Sequence, residues 1–231
     1  MSLWAETIAW FLAPDTWTGS GGVPQRLVEH VLITIGVLGV AAGLALPVGV
    51  ILGHRRRGGG VIVVLAGAAR AIPTLGLLTV LGLALGIGLG APMLALIILA
   101  IPPLLTGAYA GVAATDLITV DAARAVGLSE AQIVRGVELP LAAPIIVGGL
   151  RSATLQVVAT ATLAAYTADA GLGRFIFTGL KSREYDEMIG GSILVVILAL
   201  ALDGVLALVV RWMGARTLDT STPAPVTERS T

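Results

Sequence analysis

The sequence predicts an all-α integral membrane protein of five transmembrane helices, with its N-terminus outside the cell and its C-terminus inside. Three observations carry this reading. Of the 231 residues 56% are apolar and 12% are charged, against roughly 45–50% and about 25% in an ordinary soluble domain. Uncharged stretches recur at the length of about 20 residues that a helix needs to cross a hydrocarbon core of about 30 Å. Lysine and arginine are divided unevenly between the loops that these stretches define, and that division sets orientation.

Residues 1–25 hold Trp4, Ile8, Phe11 and Leu12 at helical spacing, then Pro14 and a glycine-rich run at 19–22. This reads as a short helix lying in the outer interface plus a linker, because its apolar part is too short to span. Residues 31–53 form the first uncharged span, flanked by His30 and His54. Residues 71–115 carry no charge and no histidine, which predicts a hairpin of two spans, about 71–88 and 92–115, turning at Gly88, Gly90 and Pro92. A fourth span, 141–168, contains one charge, Arg151, and a fifth, 188–210, contains one, Asp203. The transmembrane domain so defined covers 26–215, and the Ser-, Thr- and Pro-rich end, 216–231, reads as a disordered cytoplasmic tail.

With the N-terminus outside, Arg55, Arg56, Arg57, Arg124, Arg135, Arg211, Arg216 and Arg229 are cytoplasmic, while Arg26, Arg174, Lys181 and Arg183 are outside. Eight against four favours this orientation. The chain has 14 basic and 14 acidic residues, so no nucleic-acid footprint follows from its charge. Without cysteine it has no disulfide, thiolate metal site or thiol nucleophile. Its two histidines are too far apart for a helical metal pair, so no metal site and no catalytic residue is expected. The first basic residue is Arg26, so no positive region precedes an apolar signal segment and the apolar stretches are expected to be retained.

The longest cytoplasmic segment, 116–140, reads as two short helices around a glycine. Thr119 is suited to cap the first, with Asp121 in its first turn favoured by the helix dipole. Gly127 fits the left-handed position that ends a helix. Ser129 and Gln132 have the spacing of a capping box that starts the second, and Leu139-Pro140 is expected to end it and enter the fourth span.

The string DAARAVGLSEAQIVRGVELP in this segment resembles the EAA loop of permease subunits of binding-protein-dependent type I ABC importers. Asp121-Ala122-Ala123, three residues, Gly127, nine residues, Val137, one residue and Leu139-Pro140 reproduce that loop's spacing. Asp121 stands for Glu and Val137 for Ile. Glu29-His30, the run from Arg70 to Leu75, Ala170-Gly171-Leu172-Gly173 and the run from Phe175 to Leu180 look like those of permeases for osmoprotectants. The resemblance covers roughly residues 29–213. It implies that Asp121, Ala122, Ala123, Gly127, Ser129, Leu139 and Pro140 form a coupling helix seated on an ATP-binding subunit. It also implies an extracytoplasmic binding protein, a second permease subunit (a copy or a paralogue), and a solute such as glycine betaine, carnitine, choline or proline betaine. The chain has no G-x-x-x-x-G-K-[ST] phosphate loop, so ATP and Mg are expected on the partner subunit and no cofactor on this one.

Pro73, Pro102 and Pro103 are expected to interrupt helices at membrane depth, where broken backbone must be buried or line a cavity. Together with Tyr109, Arg151, Tyr166 and Asp203 they are the candidates for a pathway or gate. Arg151 lies eleven residues beyond Pro140, about 16 Å along a helix, and Asp203 is similarly internal, so a pairing between them is open. Arg70 is expected to reach the inner headgroups from the start of the second span. Gly82, Gly86 and Gly90 form a stripe suited to close helix packing. An amino-acid importer of the same plan is the alternative within the class. A secondary transporter would need more intramembrane acids than Asp203, and an intramembrane enzyme would need H-E-x-x-H or paired aspartates, which are absent.

Overall fold

The computed structural model describes residues 2–218, and every element in it is a helix. Helix α1 (Leu3–Leu12) is capped by the Ser2 hydroxyl and followed by a single turn, α2 (Pro14–Trp17). The long helix α3 (Val23–His54) starts well before the expected residue 31, because Gly22 is extended and a proline occupies its first turn. Then come α4 (Gly59–Ala71), α5 (Thr74–Leu85) and α6 (Gly90–Ala113). A connector carries α7 (Leu117–Ala125) and α8 (Glu130–Ile133) into a π-helical turn, Val134–Glu138. Helix α9 (Leu139–Ala161) follows, closed by a 3-10 turn, Thr162–Tyr166, and then α10 (Gly173–Ser182) and α11 (Tyr185–Leu218). Most of the segment read as a tail, from residue 219 onward, lies outside the described residues.

Four of these helices are long and apolar enough to cross a membrane, and five spans result when α4 and α5 are counted as one bent pair. Here the expected single span 71–88 is corrected. The chain turns by 81° between α4 and α5, at Ile72 and Pro73, because proline offers no N–H and pushes the residue before it out of the helical region. Pro102 and Pro103, expected to break a helix, lie inside the unbroken α6. Helices α3 and α9 pack against α6, and neighbouring helices let a membrane helix keep prolines in its interior.

Leu139-Pro140 does not end the second short helix either, since the chain is helical without a gap from Glu130 to Tyr166. The π turn explains this. The Leu139 N–H donates to the Val134 carbonyl five residues back, which brings Pro140 into the first turn of α9, where no donor is missed.

The core is a packing of α3, α6 and α9 through small side chains: Val37, Ala41 and Ala45 against Ala100 and Leu104, and these against Ala153 and Val157. The close approach is made by glycines other than the expected stripe. A methyl at Gly107 would sit 2.8 Å from the Gly149 Cα, and one at Gly49 2.6 Å from the Ala108 Cβ. Gly82, Gly86 and Gly90 do not form one face, because α5 ends at Leu85 and Gly86 caps it at φ +82°. A second apolar cluster, Val23, Val158, Leu172, Phe175 and Leu198, gathers α10 and α11 at the end where Trp10 of α1 meets Phe175 edge to face at 5.4 Å. Leu32, Val40, Leu44, Ile197, Leu200 and Leu208 stay exposed on the outer faces of α3 and α11, as lipid contact requires.

Candidate functional site

At the end of the bundle marked by His54, residues 116–138 fold into a compact knuckle with a core of its own. Val120, Ala123 and Ile133 are buried together with Val137 against them. The cap of α7 is Asp116, whose carboxylate accepts from the Ile118 N–H at 3.1 Å. The expected cap, Thr119, falls inside the helix, because Asp116 ends the turn leaving α6 and is the stronger N-cap. Gly127 is left-handed, at φ +87°. Around it the Leu128 N–H donates to the Ala123 carbonyl and the Gly127 N–H to that of Arg124, both bonds of a Schellman ending. Ser129 and Gln132 form the capping box, with Gln132 Oε1 accepting from the Ser129 N–H at 2.8 Å.

Of the paired alanines, Ala123 faces the knuckle core and Ala122 faces out. Ala122 lies four residues from both Ile118 and Val126, which are 78% and 79% exposed. Residues spaced by four share a helix face, so α7 offers an uncovered apolar stripe with a small residue at its centre.

A chain of ion pairs and close polar contacts ties this knuckle to the bundle. Asp121 and Glu130 both accept from Arg124, at 2.9 Å and 2.8 Å. The Arg124 guanidinium holds the Glu130 carboxyl, ahead of the fourth span, below the usual carboxylate range. Glu130 Oε2 lies 3.1 Å from His54 Nε2, and Glu138 Oε2 lies 2.7 Å from His54 Nδ1. Glu138 is only 2% exposed. Arg56, also left-handed, donates to the Thr115 carbonyl. Sequence reasoning missed His54 and Glu138. The available signal was a single acid in the apolar stretch just before Leu139-Pro140.

The opposite end of α3 carries a second cluster. Arg26 donates to Glu29 at 3.0 Å, and to the Asp169 carbonyl and carboxylate at 2.7 Å and 2.8 Å. Glu29 in turn accepts from the Gly171 N–H at 2.9 Å. His30, fully buried, accepts from the Leu172 N–H at Nδ1, which leaves Nε2 to donate to the Val158 carbonyl at 3.0 Å. Glu29-His30 and Ala170-Gly171-Leu172-Gly173, separate in sequence, are one structural unit that pins the loop after the fourth span.

Between the two ends, Arg151 and Asp203 form a two-pronged pair at 2.8 Å and 2.7 Å joining α9 to α11. The two candidate tyrosines are not brought together. Tyr109 packs near the His54 end, its ring against Gly59, whereas Tyr166 is exposed at the other end beside Phe177, at 6.0 Å. Pro73 stands at the α4–α5 bend.

Apolar helices of spanning length around a small-residue core, with charge clusters at both ends, define a polytopic membrane protein. The family described as the binding-protein-dependent transport system inner membrane component matches residues 45–219, and the chain belongs to it. It is 35% identical to the choline transport system permease protein OpuBB of Bacillus subtilis (strain 168), over 84% of this chain and 89% of that one. To the glycine betaine/carnitine/choline transport system permease protein OpuCB of the same organism it is 31% identical, over 84% and 89%. Its fold is similar to a solved chain of the inward-facing MetNI methionine ABC transporter, with TM-score 0.68 and 25% identity over 80% of this chain and 93% of that one.

Proposed function

We propose that this chain forms the translocation pathway of an ATP-driven importer for a small osmoprotectant of the choline, glycine betaine or carnitine type. The observation that carries the reading is the likeness, over most of the chain, to permeases named for those solutes. The knuckle is then the coupling element. The stripe of Ile118, Ala122 and Val126 sits in a groove of an ATP-binding subunit, the small Ala122 lets the two backbones approach, and the Arg124–Glu130–His54–Glu138 chain carries the displacement into α3 and α9. ATP and Mg belong to that subunit. The chain crosses the membrane five times, N-terminus out and C-terminus in, so the Arg26–Glu29–Asp169 end faces the binding protein. A second permease subunit completes the pathway.

This subunit holds too few aromatics in its interior to cage a trimethylammonium group, with Tyr109 and Tyr166 at opposite ends. Selection of the cation therefore falls mainly to the binding protein. The test is reconstitution of the chain with its ATP-binding subunits and binding protein, followed by uptake of labelled choline, glycine betaine and carnitine. Uptake of none of them overturns the reading. Likeness to the methionine importer makes an amino acid the second reading, and labelled methionine belongs in the same assay.

A further inference from the structure

Arg70, expected to reach the inner headgroups, stands in the last turn of α4. Helix α4 starts at Gly59, against the ring of Tyr109, and Arg70 comes eleven residues later, about 16 Å along a helix. It lines a hollow of about 390 Å³ with Pro103 and Thr106 of α6 and Gly149 and Ser152 of α9. Ser152 is twelve residues into the bilayer from Pro140, about 18 Å. A guanidinium at this depth is costly unless it faces a partner or a water-filled cavity. Among the described residues Arg70 has no ion pair, in contrast to Arg151, which is held by Asp203. The buried Thr106 hydroxyl, on the same hollow, is without a hydrogen-bond partner. Three side chains that can donate, one of them a guanidinium without an ion pair, thus line one space.

We infer that Arg70, Thr106 and Ser152 form a carboxylate-binding subsite in the translocation pathway, which holds the acidic end of a zwitterionic solute while it crosses. The guanidinium fork matches a carboxylate in a two-pronged geometry, and the hydroxyls supply further donors. The inference rests on the osmoprotectant reading above and refines it: glycine betaine and carnitine carry a carboxylate, choline does not.

The experiment uses the whole transporter in proteoliposomes, with uptake of each solute measured at saturation so that the binding protein's own preference is removed. Arg70→Gln is expected to lower the ratio of carnitine to choline uptake at least tenfold. Arg70→Lys, which keeps the charge and loses the fork, should recover part of it, and Thr106→Val should lower the ratio about threefold. Co-purification of the ATP-binding subunits and their ATP hydrolysis establish that each variant assembles. A ratio unchanged in Arg70→Gln, whether both rates fall together or neither falls, overturns the subsite. A wild-type transporter that carries choline alone also overturns it and leaves the osmoprotectant reading standing, whereas uptake of none of these solutes removes that reading itself.

Discussion

His54, the last residue of α3, holds the buried carboxylate of Glu138 at 2.7 Å, so the first long helix and the entry to the fourth span are joined by one hydrogen-bonded pair. The same imidazole reaches Glu130 of the knuckle at 3.1 Å. Removing the imidazole leaves the buried Glu138 carboxyl without its hydrogen-bond partner, a loss of about 1–3 kcal/mol. His54→Ala should lower thermal stability and cut uptake several-fold more than ATP hydrolysis. The double variant His54→Ala with Glu138→Gln should recover part of the stability, because the amide supplies its own donors where the carboxyl had lost its partner. Thermal unfolding of the purified transporter, run beside uptake, decides this. A double variant worse than His54→Ala by the full sum would show that the two residues act independently.

Gly127 has open space around it and a backbone at φ +87°, so its constraint is conformational and not steric. A β-branched residue there costs about 1–2 kcal/mol. Gly127→Val is expected to leave membrane insertion intact while ATP hydrolysis continues without matched uptake. Normal uptake by this variant would remove the knuckle from the coupling path.

Ala122 and Ala123 are neighbours with opposite surroundings. Val126→Asp or Ala122→Asp on the exposed stripe should abolish co-purification of the ATP-binding subunit with no change in the melting temperature of the isolated chain. Ala123→Leu overpacks the small core around Ile133, at about 1–3 kcal/mol, and should lower that temperature. A pull-down and a melting curve on the same preparations separate the two effects.

The chain has no cysteine, which makes single-cysteine mapping direct. Gly60→Cys and Ser129→Cys should be protected from an impermeant thiol reagent in intact cells, and Ser20→Cys and Ser182→Cys should be labelled. Gly60 serves better than Gly59, where a side chain would meet the Tyr109 hydroxyl at 2.5 Å. Labelling at Gly60 from outside would reverse the orientation.

Asp203→Asn leaves Arg151 charged and without its carboxylate partner between α9 and α11, which membrane insertion disfavours. The level of protein in the membrane should fall, and Arg151→Met combined with Asp203→Leu should restore it. Immunoblots of membrane fractions test this, and no recovery in the double variant would mean the pair does more than neutralise charge.

Local chemistry made much of the molecule legible from the chain alone. The left-handed turn at Gly127, the Ser129–Gln132 cap and the short N-terminal helix are set by residues within a few positions of one another. The apolar character of the long helices follows from composition. Other features depended on partners far apart in sequence. Nothing near His54 announces that Glu138 needs it, and nothing near Glu29 announces the Gly171 N–H 142 residues away. The bend at Pro73 is visible as a proline, but the helix before it is not, because the glycine run at 58–60 reads as loop and only the fold sets Tyr109 of α6 against Gly59. For the same reason Arg70 looked like a headgroup anchor, while in the fold it lines a hollow whose other walls are α6 and α9. A sequence fixes which helices are greasy enough to cross a membrane. Which of their charges meet, and which face an open space unpaired, is decided only when the helices are packed, since a helix carries its own backbone hydrogen bonds but leaves its side chains to be satisfied by whatever it lies against.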